Sequence, residues 1–443
     1  MKPKKIGKLD VISIALGSII GTGAFLLPGD FFLKKIGLLN TIAGILIGTL
    51  LIFIIENNYN FLIKKFPKSG GEYIFVKNAL SKNHAFICGW LLTLSYFTII
   101  PLNATAVPVV INSIFPNILK FNLLYNIHGN IYLGEILVSF IFLFLFAYLN
   151  IKGIHFAAII QKIMVFFLVG IIFFFSAAVI YINSVSSPIL IENLAVPFSF
   201  KNILKIVSIT PFLFIGFDCI PQIMEELDFH PKKVSLLAIL SVLIGGLIYI
   251  ILTIITAYGV SLNTLNTENI NWATGYTISL FFRKIGLIIL GLAFLIAIIA
   301  GINGFYMSSS RLLLAMAEDN ELPIVLALKK NNQPKNALII LCAFSCIITL
   351  FGRNTVLWAL DVSSVGASLA YFYTSISALV LKKNKESILF PILGSLIGLL
   401  ALSLLTIPYF STSLNSASYL TLLIWIFLGF LLKHLKFKEV AYL

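Results

Sequence analysis

The chain consists mostly of uninterrupted apolar runs of about 20 residues or more, separated by short polar and charged loops. About 20 helical residues span the ~30 Å hydrocarbon core of a bilayer, whereas a membrane β-strand would alternate apolar and polar side chains over ~10 residues. The runs do not alternate, so the pattern predicts an all-α membrane protein. We expect twelve transmembrane helices, at residues 11–36, 39–63, 85–114, 132–150, 155–183, 202–226, 235–260, 285–316, 337–351, 355–381, 387–409 and 416–433.

Composition excludes the main soluble classes. Hydrophobic residues make up 59% of the 443 residues and charged residues 11%, whereas a soluble domain carries roughly 25% charged residues. The net charge of +14 is divided among short loops, and only three of the 31 basic residues are arginine. This distribution is not that of a nucleic-acid-binding surface, and we expect no nucleic acid partner.

The distribution of lysine indicates an orientation. Most basic residues fall in loops that would lie on the same side of the membrane as the N-terminus. By the positive-inside rule, both termini are expected in the cytoplasm, with the cytoplasmic (plasma) membrane as the default location. The sequence leaves open whether the protein is a monomer or a homodimer.

No catalytic or metal-binding motif is recognisable. The four cysteines lie inside apolar runs without zinc spacing, and the five histidines are scattered. The deep acidic residues are Asp218 and Asp361, and neither is accompanied by a Ser–His pair or a second facing aspartate. We therefore expect no cofactor, no metal and no enzymatic activity.

Two of the predicted spans contain helix-breaking residues in their middle. The first span carries Gly21, Thr22 and Gly23, and the sixth carries Gly216 between Pro211 and Pro221, followed by Asp218. A broken helix exposes backbone N–H and C=O groups that are tolerated at membrane depth only in a cavity or against a ligand. The glycines could instead serve close helix packing, and Asp218 could cap the break.

Interrupted helices in corresponding positions of two halves are typical of inverted-repeat transporters. The first and sixth spans would correspond if each repeat contained five helices. We predict a single transporter domain over residues 1–443, with one repeat at 11–183, an inverted repeat at 202–381 and two peripheral helices at 387–433.

Four sequence blocks resemble the amino acid–polyamine–organocation superfamily of permeases, in the order in which that superfamily has them. The blocks are GSIIGTGAFLLPG (17–29), FPKSGGEYIFVKNAL (66–80), FIGFDCIPQIMEELDFHPKK (214–233) and SRLLLAMAEDNELP (310–323). The resemblance implies a leucine-transporter-like fold, alternating access, and amino acids or derived amines as substrates.

The resemblance also implies a substrate site. The substrate carboxylate would lie against Gly21, Thr22 and Gly23. Backbone carbonyls of Ile215 and Gly216 would accept from the amino group, Phe212 would close over the substrate, and Asp218 would pair with a cationic substrate or carry a proton. The remaining pocket residues would be Tyr96, Asn103, Asn303, Phe305, Ser363 and Ser364. Each of these six could instead serve helix packing or interhelical hydrogen bonding.

The same resemblance indicates which ion could drive transport. Sodium-coupled members of the fold use hydroxyls on the eighth helix, and residues 300–303 here contain no Ser or Thr. Some proton-coupled relatives carry a lysine in the fifth helix, where this chain has Leu168. We therefore expect substrate exchange, or proton coupling through Asp218. A membrane amino acid sensor that retains the fold without transport is the alternative.

Overall fold

The computed structural model describes residues 6–126, 129–183, 187–268, 270–330, 333–353, 358–382, 387–410 and 412–434. Within these ranges, eleven helices are long and apolar enough to cross a membrane. Their bounds are Lys8–Ile36, Leu38–Lys65, Lys82–Ile114, Leu133–Lys152, Ala158–Ile182, Phe200–Gln222, Pro231–Gly259, Ala273–Glu318, Leu360–Leu381, Leu389–Thr406 and Ser416–Lys433.

A shorter apolar helix, Lys335–Thr349, occupies the position of the predicted ninth span. Its 15 residues correspond to about 22 Å of helix, which is less than the ~30 Å thickness of a bilayer core. The start of the predicted tenth span, at 355, falls outside the described residues. We number the twelve apolar segments helix 1 to helix 12 in chain order, so that Lys335–Thr349 is helix 9.

Helix 8 differs most from its prediction. It begins at Ala273 instead of residue 285, runs for 46 residues to Glu318 and has a kink at Arg283, where φ is 54°. Polar residues in its first turns lower the local hydropathy, and the apolar pattern therefore did not include this segment. The Thr274 hydroxyl lies 2.7 Å from that of Thr256 on helix 7, and the Thr277 hydroxyl donates to the Thr256 carbonyl.

Helices 1 and 6 are both discontinuous. Helix 1 consists of Lys8–Ile20, Gly23–Leu27 and the π-helical segment Pro28–Ile36. Helix 6 consists of Phe200–Phe214 and Cys219–Gln222, separated by four residues. Helix 1 packs against helices 5, 7 and 8, and helix 6 packs against helices 2 and 10. Both breaks are thereby enclosed by other helices.

The remaining elements are short. Helix 3 is divided into Lys82–Ala104 and Val107–Ile114, and a two-stranded antiparallel hairpin follows it, with β1 at Leu123–Asn126 and β2 at Asn130–Tyr132. The connecting helices are Gly71–Ala79, Pro188–Leu194, Met224–Glu226, Leu262–Thr267 and Ile324–Ala327. The 3-10 turn Pro231–Lys233 forms the start of helix 7.

Helix 12 lies at the edge of the bundle. Only 11% of the residues in its span Ser416–Lys433 are buried. It is attached through Trp425, whose ring stacks on that of Trp90 of helix 3 with centroids 4.4 Å apart. Each indole N–H donates to the backbone carbonyl of the other tryptophan. The uncovered apolar surface of helix 12 suits contact with lipid.

Candidate functional site

The two helix breaks lie against each other. Gly216 has φ +134°, and a Cβ atom placed on it would lie 2.8 Å from the backbone nitrogen of Ile19. Only glycine combines this backbone conformation with so close an approach. The backbone of helix 6 therefore touches the end of the Lys8–Ile20 segment of helix 1.

The break in helix 1 receives a side chain from helix 3. Gly21 has φ +39°, and the backbone N–H of Thr22 donates to the side-chain oxygen of Asn103 at 3.1 Å. The amide nitrogen of Asn103 donates to the Ile99 carbonyl of its own helix at 2.9 Å. Because these groups are buried, an N–H that is freed by the break has a partner instead of being left unsatisfied.

Two aromatic residues border Gly23. A Cβ atom on Gly23 would lie 2.6 Å from the Tyr249 hydroxyl and 3.6 Å from a ring carbon of Phe212. The Tyr249 hydroxyl also donates to the Ile19 carbonyl at 3.1 Å. The break in helix 1 is therefore bordered by Phe212 of helix 6 and Tyr249 of helix 7, both buried.

Asp218 caps the break in helix 6. Its Oδ1 accepts the backbone N–H of Gly216 at 2.7 Å, and its backbone carbonyl accepts the Tyr96 hydroxyl at 3.2 Å. Asp218 is fully buried, and its Oδ2 has no hydrogen-bond partner among the described residues. One carboxylate oxygen therefore holds the break together, while the other is left without a partner.

Of the six further residues named from sequence, three lie next to the breaks. Asn103 and Tyr96 bond to them, as described above. Phe305 is buried against Tyr96, with ring centroids 5.8 Å apart. These three residues connect helices 3 and 8 to the site.

The other three make different contacts. The amide of Asn303 donates to Gln161 of helix 5 and accepts from Asn150 of helix 4 at 2.7 Å. Ser363 and Ser95 each donate to the backbone carbonyl of the other, and Ser364 donates within its own helix. These bonds are of the interhelical and packing kind that the sequence left open as the alternative.

Sequence reasoning missed a second buried polar cluster beside the site. Glu72, on the connecting helix Gly71–Ala79, accepts the Tyr59 hydroxyl at 2.7 Å and the Gln222 side-chain amide at 2.6 Å. Glu72 is completely buried. Burial raises the pKa of Glu72 well above its usual range, and the nearby charge of Asp218 raises it further. An acidic residue after two glycines, in a block with the family resemblance, was the available signal.

A contact network closes the bundle at the end where the chain starts. The Arg311 side chain of helix 8 donates to Glu226, beyond helix 6, at 2.8 Å, and also to Gln333. The backbone of Ile6 exchanges hydrogen bonds with Glu226 and Asp228. Glu226 thus pairs with a basic residue 85 positions away in the sequence. The reason is that Arg311, although distant in sequence, lies on the packed face of helix 8.

A bundle of long apolar helices, two of them with buried breaks that touch each other, defines a multi-pass membrane protein. The sequence profile of the family described as "Amino acid permease" matches residues 6–433. This chain belongs to that amino acid permease family, which lies within the amino acid–polyamine–organocation superfamily.

Individual relatives agree with this assignment. The chain is 24% identical to the branched-chain amino acid permease BcaP of Bacillus subtilis, over 87% of this chain and 82% of BcaP. It is 23% identical to the serine/threonine exchanger SteT of the same organism, over 72% of this chain and 69% of SteT. The chain is also 30% identical to the amino-acid permease RocC of Bacillus subtilis, over 24% of this chain and 22% of RocC.

Proposed function

We propose that this permease moves neutral amino acids across the cytoplasmic membrane by alternating access, with its substrate at the two helix breaks. The observation that carries the proposal is the contact between Gly216 and Ile19, which brings two sets of interrupted backbone groups together in a buried place. Interrupted backbone at membrane depth is tolerated where it serves a ligand or a cavity.

The two breaks suit the two ends of an amino acid. The helix that restarts at Gly23 directs backbone N–H groups toward the break, which favours a carboxylate. Ile215 has a non-helical backbone conformation, with ψ at 127°, and its carbonyl at the end of the helix could accept from an ammonium group. The Gly216 carbonyl already accepts the backbone N–H of Cys219 at 3.2 Å. The substrate side chain would lie against Phe212 and Ile215, which are buried and apolar.

The proposed architecture pairs residues 11–183 with an inverted repeat at 202–381, and 387–433 are peripheral. In this arrangement the broken helices are the first of each repeat, so rocking of one repeat against the other would expose the same site alternately to each side. Twelve crossings put both termini in the cytoplasm. Helix 9 would complete its crossing with the residues that follow Thr349.

Neutral substrates are favoured over cationic ones. Oδ1 of Asp218 is already committed to the Gly216 N–H, so the side chain caps the break. The names of BcaP and SteT specify branched-chain amino acids, serine and threonine, all of which are uncharged at the side chain. One observation favours cationic substrates instead. Oδ2 of Asp218 has no hydrogen-bond partner among the described residues, and the ammonium group of a cationic substrate would supply one.

Counterflow in proteoliposomes tests the proposal. Vesicles are preloaded with one unlabelled compound, and uptake of the same labelled compound is followed without any ion gradient, for leucine, valine, serine, lysine and putrescine. We expect transient accumulation of leucine, valine or serine. Accumulation of lysine or putrescine alone would assign the cationic class, and absence of counterflow with folded protein for all five would contradict transport and favour the sensor.

A further inference from the structure

Two carboxylates are buried at opposite ends of one short helical turn. Asp218 immediately precedes the segment Cys219–Gln222, and Gln222 at its end donates to Glu72 at 2.6 Å. Both carboxylates have no exposed surface. The ring of Phe217, next to Asp218, packs on Tyr59, the other hydrogen-bond donor to Glu72, with centroids 5.2 Å apart. The substrate site and the Glu72 cluster are therefore parts of one packed unit.

No basic side chain of the described residues forms an ion pair with Asp218 or Glu72. The groups that face the pair are all neutral when protonated. From helices 2, 3, 6 and 10 they are Tyr59, Cys88, Tyr96, Cys219 and Tyr371. Two negative charges would thus be buried at the two ends of this turn, in a low-dielectric interior, without an ion-pair partner among the described residues.

The hydrogen bonds around the pair do not replace a cation. Glu72 accepts from two neutral donors and Asp218 from one backbone N–H, whereas Oδ2 of Asp218 and Oε1 of Gln222 have no partner among the described residues. Desolvation of a carboxylate in a protein interior costs several kcal/mol even after relaxation. Like-charged carboxylates that share a site commonly hold a proton between them.

We propose that Asp218 and Glu72 together bind one proton that is transported with the amino acid, and that Glu72 is the group through which this proton is released. Binding converts one carboxylate of the pair to a carboxylic acid, and release returns the same proton to water, so no other reactant is needed. This inference rests on the proposed function and specifies its coupling.

The positions of Asp218 and Glu72 in the fold indicate which residue acts at the substrate site and which one releases the proton. Asp218 lies at the substrate site, where its Oδ1 fixes Gly216, so its protonation and the geometry of the break influence each other. Glu72 lies on a connecting helix between helices 2 and 3, outside the membrane-spanning segments. Opening of the bundle at this end would bring water to Glu72 before it reaches Asp218.

The test compares proton-driven uptake with counterflow in the same vesicles. Leucine uptake is driven by an inward proton gradient while a pH-sensitive dye inside reports proton entry, and counterflow is measured with no gradient. In the wild type we expect gradient-driven accumulation with acidification of the lumen. In Glu72→Gln we expect counterflow to persist, while gradient-driven uptake falls about tenfold and acidification is lost. Glu72→Asp should restore part of both, and the exposed-site control Glu192→Gln should match the wild type.

Asp218→Asn provides a second variant if Glu72→Gln does not fold. Its readout is the ratio of uptake at about pH 5.5 to that at about pH 8, which should fall to about one whatever the absolute rate. Counterflow in the wild type, together with neither leucine accumulation nor acidification of the lumen under the inward proton gradient, would overturn the inference and leave the proposed function intact. Proton coupling in Glu72→Gln at the level of the wild type would also overturn the inference and leave the proposed function intact. Absence of counterflow in folded wild-type protein would overturn both the inference and the proposed function.

Discussion

The side-chain oxygen of Asn103 accepts the backbone N–H of Thr22 at 3.1 Å, and this bond joins the middle of helix 3 to the break in helix 1. The opposite end of the Asn103 amide is anchored to the Ile99 carbonyl. A neighbouring helix therefore supplies the acceptor that the broken helix no longer provides for itself. The break is therefore a conformation that hydrogen bonds within the protein support.

Asn103→Ala removes this acceptor and leaves the Thr22 N–H buried without a partner. An unsatisfied buried donor costs about 1–3 kcal/mol, which corresponds to a loss of substrate affinity of about 5- to 150-fold if the break must keep its geometry. The half-saturation concentration in counterflow measures the effect. Asn78→Ala, at an exposed position on a connecting helix, is the control and should leave affinity unchanged. Equal affinity in the two variants would mean that the bond does not support the site.

Gly216→Ala should abolish transport. Its Cβ atom would lie 2.8 Å from the Ile19 nitrogen at a φ of +134°, a combination of steric overlap and backbone strain. We expect the unfolding temperature in detergent to fall and counterflow to be lost. Gly170→Ala, where a Cβ atom would meet nothing within 4 Å, should behave as the wild type. Normal counterflow in Gly216→Ala would show that the breaks need not touch.

Arg311→Met should loosen the bundle at the end where the chain starts. It removes the bonds to Glu226 and Gln333 and leaves the Glu226 carboxylate without its partner. We expect a larger population open at that end, and hence faster alkylation of the buried Cys219 by a membrane-permeant maleimide. Cys88, Cys342 and Cys346 are replaced by alanine in both proteins. An unchanged or slower rate in the variant would exclude a role of this ion pair in closure.

Stability should fall as the pH rises above the usual pKa of a glutamate side chain. Burial and the charge of Asp218 raise the pKa of Glu72 above its usual value. The folded state therefore keeps a proton that the unfolded state has lost above about pH 4.5, and stability decreases with pH between the two pKa values. Thermal unfolding in detergent measures the slope. Glu72→Gln should flatten it and Glu192→Gln should not; a slope unaltered by Glu72→Gln would contradict a protonated Glu72.

Much of the fold follows from hydropathy alone, because each apolar run must bury its backbone polar groups in a helix. Most helix ends lie within a few residues of their predicted positions. Helix 1 is interrupted at residues 21–22 and helix 6 at residues 215–218, where glycine and proline indicated a break. The start of helix 8 was wrong by twelve residues, since threonines that bond to helix 7 lowered its apparent hydropathy.

The site was less accessible to sequence reasoning. Motifs identified residues that break or cap a helix, such as Gly216 and Asp218, because their chemistry is local. Which partner a side chain selects depends on helix packing over long sequence separations. Tyr249 and Glu72 were missed for this reason, and Asn303, named for the substrate pocket, has its amide bonded to Asn150 and Gln161.

The most direct test of a substrate site at the helix breaks is counterflow of leucine and serine in Gly23→Leu compared with Gly170→Leu. A Cβ atom at Gly23 would lie 2.6 Å from the Tyr249 hydroxyl and 3.6 Å from the Phe212 ring, whereas a Cβ atom at Gly170 would have nothing within 4 Å. Size-exclusion chromatography first verifies that both variants are folded. We then predict loss of counterflow in Gly23→Leu and counterflow at the level of the wild type in Gly170→Leu. Wild-type substrate affinity in Gly23→Leu would contradict the account, because the substrate would then bind elsewhere.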